Sequence, residues 1–345
     1  MTQLLTYPDI APQQWQALID RSPYATWFQT KEAYEFYASN PDDMTPFAVA
    51  IQRTNKLVAV CVGYITQAKN KLVQCFTRRA IIIGGPIIDE DATTEEIITL
   101  LNAVKKLQRS DLQPAGRSTA TRSTGLSPIY IETRNFHDYS RWKEVFQYSG
   151  FAYQPHYDIH VHCNATHTMS EQRIRQVKKA LKNGAEIIVA SSEQQIRDWY
   201  QILSQLYREK VRTPLFSEEL FLHFYRNGVG KYLLVQYQGK VIGGMMCPVL
   251  EGRAIYEWYV CGLDEEYREL YPSVMATHAA IEYAKQNDIP LFDFMGAGAP
   301  DIPYGVRDFK MEFGGELVEY GRFLCIRKPL LYWIGKMGVK WLKRW

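Results

Sequence analysis

The sequence has few of the motifs that mark common enzyme classes or exported proteins. Its six cysteines include no C-x-x-C pair and lie mostly in apolar, strand-like runs, which favours buried thiols over disulfides or zinc ligands. We therefore expect a reducing cytoplasm as the setting. No G-x-S-x-G, H-E-x-x-H or G-x-x-x-x-G-K-S/T motif is present, which argues against serine hydrolases, zinc proteases and P-loop nucleotidases.

Long apolar runs and a strong charge imbalance are also lacking. No run approaches the roughly 20 apolar residues that a membrane-spanning helix needs, and residues 1–15 do not resemble an export signal. We expect a protein that is neither exported nor membrane-spanning. A formal net charge of +3 does not by itself indicate a nucleic-acid partner. With 46% hydrophobic residues in 345, the composition is typical of a globular protein with two domains.

The order of predicted elements occurs twice along the chain. Residues 46–67 and 231–250 each predict two strands joined by a polar turn. A strand, an amphipathic helix, a strand after a proline and a glycine-led strand then follow, over 79–163 in one half and 253–327 in the other. The sequence therefore predicts a duplicated α/β unit, with a mixed sheet and flanking helices in each copy.

Four motifs add a family resemblance to this repeat. They are GGPIID (84–89), YRELYP (267–272), FDFMGAG (292–298) and FKMEFGG (309–315). With the duplicated order of elements they resemble the Fem-type aminoacyltransferases, which build the interpeptide bridges of bacterial peptidoglycan. The resemblance implies an α/β (α+β) fold of two tandem GNAT-like acyltransferase domains, with mixed central sheets flanked by helices. The expected domains are 1–165, joined by the C-terminal segment 325–345, and 166–324, which carries FKMEFGG.

Two residues are the catalytic candidates. The resemblance implies that Lys310 lies at the acyl-transfer site, where an ammonium partly desolvated by Phe309 and Phe313 would stabilise the developing oxyanion or the acyl donor. Asp89 is the candidate base, or the carboxylate that orients the acceptor amine. The alternatives are a solvated lysine in a glycine-rich loop and an acid beside a helix that begins near Thr93.

Six further residues are candidates for substrate binding: Phe309, Lys210, Arg212, Tyr256, Tyr259 and Gly296. A guanidinium suits a substrate phosphate, so the resemblance implies this role for Arg212, with Lys210 nearby; a solvated helix end is the alternative. Tyr259 falls where relatives have a cleft tyrosine, and Tyr256 lies on the other strand face; core packing is the alternative for both. Gly296 would let the backbone approach the substrate.

The donor implied by the resemblance is aminoacyl-tRNA, with no tightly bound cofactor. A CoA-type thioester is the alternative donor. Residues 268–273 lack the glycines that cradle a pyrophosphate in acetyl-CoA enzymes, and Pro272 lacks an N–H group, which argues against ordinary CoA binding in the second domain. The interval 171–256 leaves no room for the long helical arm of many tRNA-using members. His160 and His162 share a strand face, but two imidazoles alone do not predict a metal site.

The predicted function is transfer of an aminoacyl or acyl group to an amine of a peptidoglycan precursor in the cytoplasm. The alternatives are an N-acyltransferase of nucleotide-sugar or surface-polysaccharide synthesis, and a non-catalytic, membrane-peripheral binding protein. The latter is suggested by Phe36 or Tyr37, one of which stands where the family has a substrate-binding lysine.

Two further segments stand apart from the repeat. Residues 109–128 are polar and rich in Gly, Ser and Thr, and predict a mobile loop. Residues 327–345 predict a basic helix with an apolar stripe formed by Leu330, Ile334, Met337, Trp341 and Trp345. This stripe would lie on the anionic inner face of a membrane, pack on the first domain, or do both.

Overall fold

A computed structural model describes residues 2–66, 77–107, 127–164 and 169–342, without the side chains after residue 337. The chain divides into two compact units, 1–155 with 320–345, and 156–319. Each unit contains an eight-stranded mixed sheet with flanking helices, which confirms the predicted fold class. Cys75 and most of the predicted loop at 109–128 lie outside the described residues. The other five cysteines are buried free thiols.

The elements follow the chain in this order. The first unit contains β1 (Thr2–Thr6), α1 (Pro12–Arg21), α2 (Lys31–Ala38), β2 (Met44–Arg53), β3 (Lys56–Thr66), β4 (Arg79–Gly84), β5 (Ile87–Ile88), α3 (Thr94–Lys106), β6 (Tyr130–Asn135), α4 (Lys143–Tyr148) and β7 (Ala152–Gln154). The second contains β8 (Tyr157–His162), α5 (Glu171–Lys182), β9 (Ala185–Val189), α6 (Glu193–Leu206), α7 (Glu218–Arg226), β10 (Gly230–Tyr237), β11 (Lys240–Leu250), β12 (Ala254–Tyr256), β13 (Tyr259–Gly262), α8 (Pro272–Gln286), β14 (Leu291–Asp293), α9 (Gly305–Met311) and β15 (Glu316–Glu319). The chain then returns to the first unit with β16 (Arg322–Ile326) and α10 (Pro329–Leu342). The described residues also form two 3-10 turns, Trp27–Gln29 and Ser140–Trp142, and a π-helical turn, Tyr207–Val211.

In the first unit the strand order is β1-β2-β3-β4-β6-β16-β7, with β5 also beside β3. β4 and β6 pair in parallel, as two strands joined through a crossover helix do. The crossover helix α3 buries the apolar positions predicted from its helical period, which are Ile97, Leu100, Leu101 and Val104. These side chains join the core cluster that also includes Val58 and Cys61 of β3.

In the second unit the order is β15-β8-β14-β12-β11-β10-β9, with β13 also beside β11. β12 and β14 pair in parallel and are joined through the crossover helix α8. Ile255 and Phe292, paired across these two strands, enter the core cluster that also contains Val274 and Ile281 of α8. The two units thus repeat one architecture, as the duplicated element order predicts.

The glycine-led strands differ from the prediction, because each divides between the two sheets. Residues 152–154 pair in the first sheet and 157–162 in the second, whereas 316–319 pair in the second sheet and 322–326 in the first. The compact units therefore change at 155/156 and 319/320, and not at the predicted 165/166 and 324/325. The sequence pattern predicts which residues are extended, but it does not show which strands they pair with. That pairing is set only in the folded sheet.

Candidate active site

Two adjacent strands of the second unit separate near the middle of its sheet. β12 and β14 pair only as far as Tyr256 and Asp293, where the N–H of Glu257 still donates to the Asp293 carbonyl at 2.9 Å. Beyond this point β13 stays beside β11, while the chain after β14 follows β8, with the Phe294 N–H donating to the Ile159 carbonyl. We call the gap bounded by Glu257 and Phe294 the strand opening.

Lys310 reaches into the strand opening from α9 and is only 8% exposed. Its Nζ lies 2.8 Å from the carbonyl oxygen of Phe294, 2.9 Å from that of Gly296 and 2.9 Å from Oε1 of Glu257. These acceptors match the three N–H donors of an ammonium group. The alternative of a solvated loop lysine is therefore wrong, since Lys310 is a buried cation on a short helix.

Glu257 is the buried carboxylate that accompanies Lys310, and it is not among the residues predicted for the site. It occupies the break between β12 and β13, where it is 7% exposed. Burial raises the pKa of Glu257, and the adjacent Lys310 ammonium opposes that rise. The available sequence signal was a single acid within the otherwise apolar and aromatic stretch YEWYVCG.

The chain after β14 is held in an unusual backbone conformation. Met295 has a φ of 56° and Gly296 a φ of 128°, in the region that favours glycine. Asp293 Oδ1 accepts from the Met295 N–H at 2.6 Å, and Asp158 Oδ1 accepts from the Gly296 N–H at 2.7 Å. Because Lys310 binds the carbonyls of this segment, Gly296 helps to position the ammonium. This contact differs from the substrate approach predicted for Gly296.

Asp158, His160 and Asp293 form a buried polar cluster on β8 and β14. His160 Nε2 lies 3.4 Å from Asp293 Oδ2. Burial and the charge of Asp293 raise the pKa of Asp158 well above its usual range. Burial lowers the pKa of His160, but the nearby Asp293 and Asp158 carboxyls outweigh this effect and raise it to about 9. His160 is therefore a cation at neutral pH. Asp158 is its neighbour on β8, whereas Asp293 comes from β14, which is remote in sequence.

The same cluster is the one described set of side chains with donors placed for a metal ion, and these donors lie within 4.8 Å of one another. Protonated His160 already supplies positive charge to the two acidic side chains. The charge of Lys310 also lowers the pKa of Asp158, although burial outweighs this effect. A bound metal would require His160 to lose its proton. The expectation that the protein holds no metal stays a prediction.

The protonation of His160 predicts a pH dependence of stability. Because the folded-state pKa is raised from 6.5 to about 9, the contribution to stability is full below pH 6.5 and is lost as pH rises through about 9. The difference corresponds to about 3 kcal/mol. We expect urea denaturation to show this loss in the wild type and a flatter profile in His160→Gln. His162→Gln is the matched control, since His162 lies on the same strand face but is exposed; an equal flattening there would contradict the assignment.

The other candidates in the second unit have varied surroundings. The Arg173 guanidinium stacks on the Phe309 ring, and its Cζ lies 4.5 Å from the centre of that ring. Tyr256 is buried, as the core alternative proposed, and Tyr259 is partly buried with its ring 5.1 Å from that of Phe221.

Two basic candidates lie at the end of the π-helical turn after α6. Lys210 is exposed, and its Nζ lies 2.6 Å from Glu265 Oε1. Arg212 is exposed and has a left-handed φ of 54°. The contacts described for these two residues join neither of them to Lys310, so their role in phosphate binding stays a prediction.

Asp89 lies in the first unit and is held by two cations. Its carboxylate forms ion pairs with Arg21 and, at 3.1 Å, with Lys56. Burial alone would raise the pKa of Asp89, but hydrogen bonds from Arg21 and Lys56 outweigh it and lower the pKa to about 2. A carboxylate with this pKa is a weak proton acceptor at neutral pH. The contacts favour a structural role in holding α1, and catalysis by Asp89 stays a prediction.

The N-terminus of α8 does not fit the pyrophosphate of CoA. Asp264 Oδ1 accepts from the Ser273 N–H at 3.0 Å, and its other oxygen accepts from the Ser273 hydroxyl. Pro272 has no N–H to offer, and Tyr271 before it has a φ of 45°. A pyrophosphate would meet a carboxylate where acetyl-CoA enzymes present free N–H groups.

The equivalent helix of the first unit, α3, is closed in a similar way. Its N-cap Thr93 accepts from the Glu96 N–H, while the Glu96 carboxylate accepts from the Thr93 N–H at 2.9 Å. This capping box uses the groups that an anion would bind. In both units, a carboxylate of the chain itself caps the crossover helix.

Comparisons with known proteins agree with this geometry. Residues 170–311 match the family model described as an acetyltransferase (GNAT) domain. A search of curated proteins found no match. Among solved structures, FemX covers 96% of this chain and 99% of its own, with a TM-score of 0.68 at 13% identity. L-PGS from Bacillus licheniformis covers 97% of both chains, with a TM-score of 0.57 at 12% identity.

A third similar solved structure is described as a tandem GNAT protein. The tandem GNAT protein from the clavulanic acid biosynthesis pathway covers 94% of this chain and 98% of its own, with a TM-score of 0.53 at 9% identity. Residues 170–311 therefore contain a GNAT acetyltransferase domain, which supports an acyltransferase activity. The whole chain shares the fold of FemX and of the tandem GNAT protein, as the resemblance carried by the four motifs predicts.

Proposed function

We propose that the protein transfers an aminoacyl or acyl group to an amine of a cell-wall peptidoglycan precursor, with the reaction centre at the strand opening. The observation that carries this proposal is the buried Lys310–Glu257 pair in a GNAT-fold unit. Acyl transfer to an amine needs a proton acceptor and positive charge near the carbonyl oxygen. Glu257 supplies the proton acceptor and Lys310 the positive charge, and the two groups are hydrogen-bonded to each other.

In the proposed reaction, the acceptor amine nitrogen forms a bond to the carbonyl carbon of the acyl ester. The carbonyl oxygen becomes an oxyanion, stabilised by the Lys310 charge in a site of low dielectric constant. Glu257 takes the proton that leaves the nitrogen, because its raised pKa makes it a stronger base than an exposed carboxylate. The bond to the ester oxygen then breaks, and the proton passes from Glu257 to that oxygen.

The three hydrogen bonds of Lys310 limit how it can act. Two of its acceptors are backbone carbonyls of a segment whose N–H groups donate to the Asp158 and Asp293 side chains. Only Glu257 is a side chain that can turn away when it is protonated. We therefore propose that Lys310 acts mainly through its charge, and donates to the oxyanion only after Glu257 has taken the proton.

The proposed donor is aminoacyl-tRNA. Its support is the pair of crossover helices whose N-termini are closed by Asp264 and Glu96, since a CoA donor would need such an end free for its pyrophosphate. The described residues 169–319 of the second unit contain no long helical arm, so a charged tRNA would bind here without the arm that many tRNA-using members have. The five buried free thiols support the proposal that the reaction takes place in the cytoplasm.

The donor is tested by supplying the purified protein with peptidoglycan precursors and with either charged tRNA or CoA thioesters. We expect product only with charged tRNA, and no calorimetric heat with acetyl-CoA. Tight CoA binding with acyl transfer to a nucleotide sugar would overturn the proposal in favour of the N-acyltransferase alternative. Mass spectrometry of muropeptides from a deletion strain provides the cellular test, in which we expect loss of one bridge residue.

A further inference from the structure

The C-terminal helix α10 is attached to the first unit at its beginning. The N–H groups of Arg327 and Lys328 both donate to the Ile129 carbonyl, at 2.9 and 3.0 Å. The Tyr332 ring packs edge-on against Tyr130, with ring centres 5.2 Å apart. These contacts determine which side of the helix faces the protein.

The side that faces away from these contacts is apolar. Leu330, Trp333, Ile334 and Met337 are 72%, 62%, 40% and 50% exposed. With 3.6 residues per turn they form one stripe, opposite the partly buried Leu331, Tyr332 and Gly335. We call these four residues the outer stripe. The alternative that the predicted stripe packs on the first domain is wrong for Leu330, Ile334 and Met337.

The charge of the surrounding sequence is of one sign. Residues 327–345 contain no Asp or Glu, and their basic residues are Arg327, Lys328, Lys336, Lys340, Lys343 and Arg344. A contiguous apolar patch exposed on the surface of a protein usually marks an interaction site. Together with the exposed Lys336, this one-signed sequence favours a surface that is both apolar and anionic, which an anionic lipid bilayer provides.

We propose that α10 is an interfacial helix that binds an anionic lipid bilayer. The outer stripe enters the boundary between headgroups and acyl chains, and the long side chain of Lys336 reaches the lipid phosphates. Among the described residues, no helix is both long enough and apolar enough to cross a bilayer. The inference does not depend on the acyl-transfer proposal, because it uses only contacts and sequence of the C-terminal segment.

The test is co-sedimentation of the full chain with phosphatidylglycerol-containing vesicles and with pure phosphatidylcholine vesicles. We expect binding to the anionic vesicles, weakened by added salt, and little binding to the neutral ones. Trp333→Asp should weaken binding at least about tenfold, because it removes a large apolar side chain and adds a negative charge. Leu181→Asp is the matched control, since Leu181 is an exposed apolar residue on helix α5 and should bind like the wild type.

Three outcomes would overturn the proposal. One is equal vesicle binding by the wild type and Trp333→Asp, and another is equal binding to neutral and anionic vesicles. The third is a dimer in size-exclusion chromatography that Trp333→Asp dissociates while vesicles bind no protein. That result would assign the outer stripe to a second copy of the chain.

Discussion

Replacing Lys310 by Met is expected to lower the rate of acyl transfer by a factor of about 10² to 10³, the usual effect of removing one group that stabilises an oxyanion. The same change should destabilise the second unit by about 3 to 5 kcal/mol, because Glu257 is then a buried carboxylate without its cation. The first effect is measured in the charged-tRNA assay and the second by urea denaturation.

A double substitution separates the two effects. Lys310→Met with Glu257→Gln removes the unpaired charge, so we expect stability to return towards the wild type while activity stays low. Lys178→Met, on the exposed side of α5, is the control for losing a lysine and should change neither measurement. If the double variant regains activity together with stability, Lys310 has only a structural role, and the mechanism built on it must be given up.

Ending the chain after Glu319 is expected to unfold the first unit. β16 lies between β6 and β7 in the sheet, so its removal leaves backbone groups on both neighbours unpaired. It also removes Phe323, which is fully buried and stacks on Phe146 with ring centres 4.1 Å apart. These losses approach the total stability of a domain, about 5 to 15 kcal/mol. Limited proteolysis should show rapid cleavage throughout 1–155.

A shorter truncation is the control for this prediction. A chain that ends after Lys328 keeps β16 and the N–H groups that bind the Ile129 carbonyl, but lacks α10. We expect it to fold like the full chain and to lose binding to anionic vesicles. If the chain ending after Glu319 resists protease as well as this control does, β16 does not hold the first sheet together.

Lys310 and Asp89 show which properties of a site residue a short sequence motif can predict and which it cannot. Both were chosen from short motifs, FKMEFGG and GGPIID. In the structure Lys310 lies in the strand opening, whereas Asp89 is held between Arg21 and Lys56. A motif gives the neighbours of a residue along the chain, but the partners that set the pKa of Asp89 lie 68 and 33 positions away. Glu257 was missed for the same reason.

The sequence by itself determined the duplicated order of elements, the α/β class and the apolar faces of the helices. These properties depend on residues that are near one another in the chain, through strand and helix periodicity. Only the tertiary structure decided the division of the glycine-led strands, the pairing of Asp293 with His160 and the outward direction of the α10 stripe. Each of these depends on which distant segments pair or pack, and the free energies of burial and charge pairing exist only once they have done so.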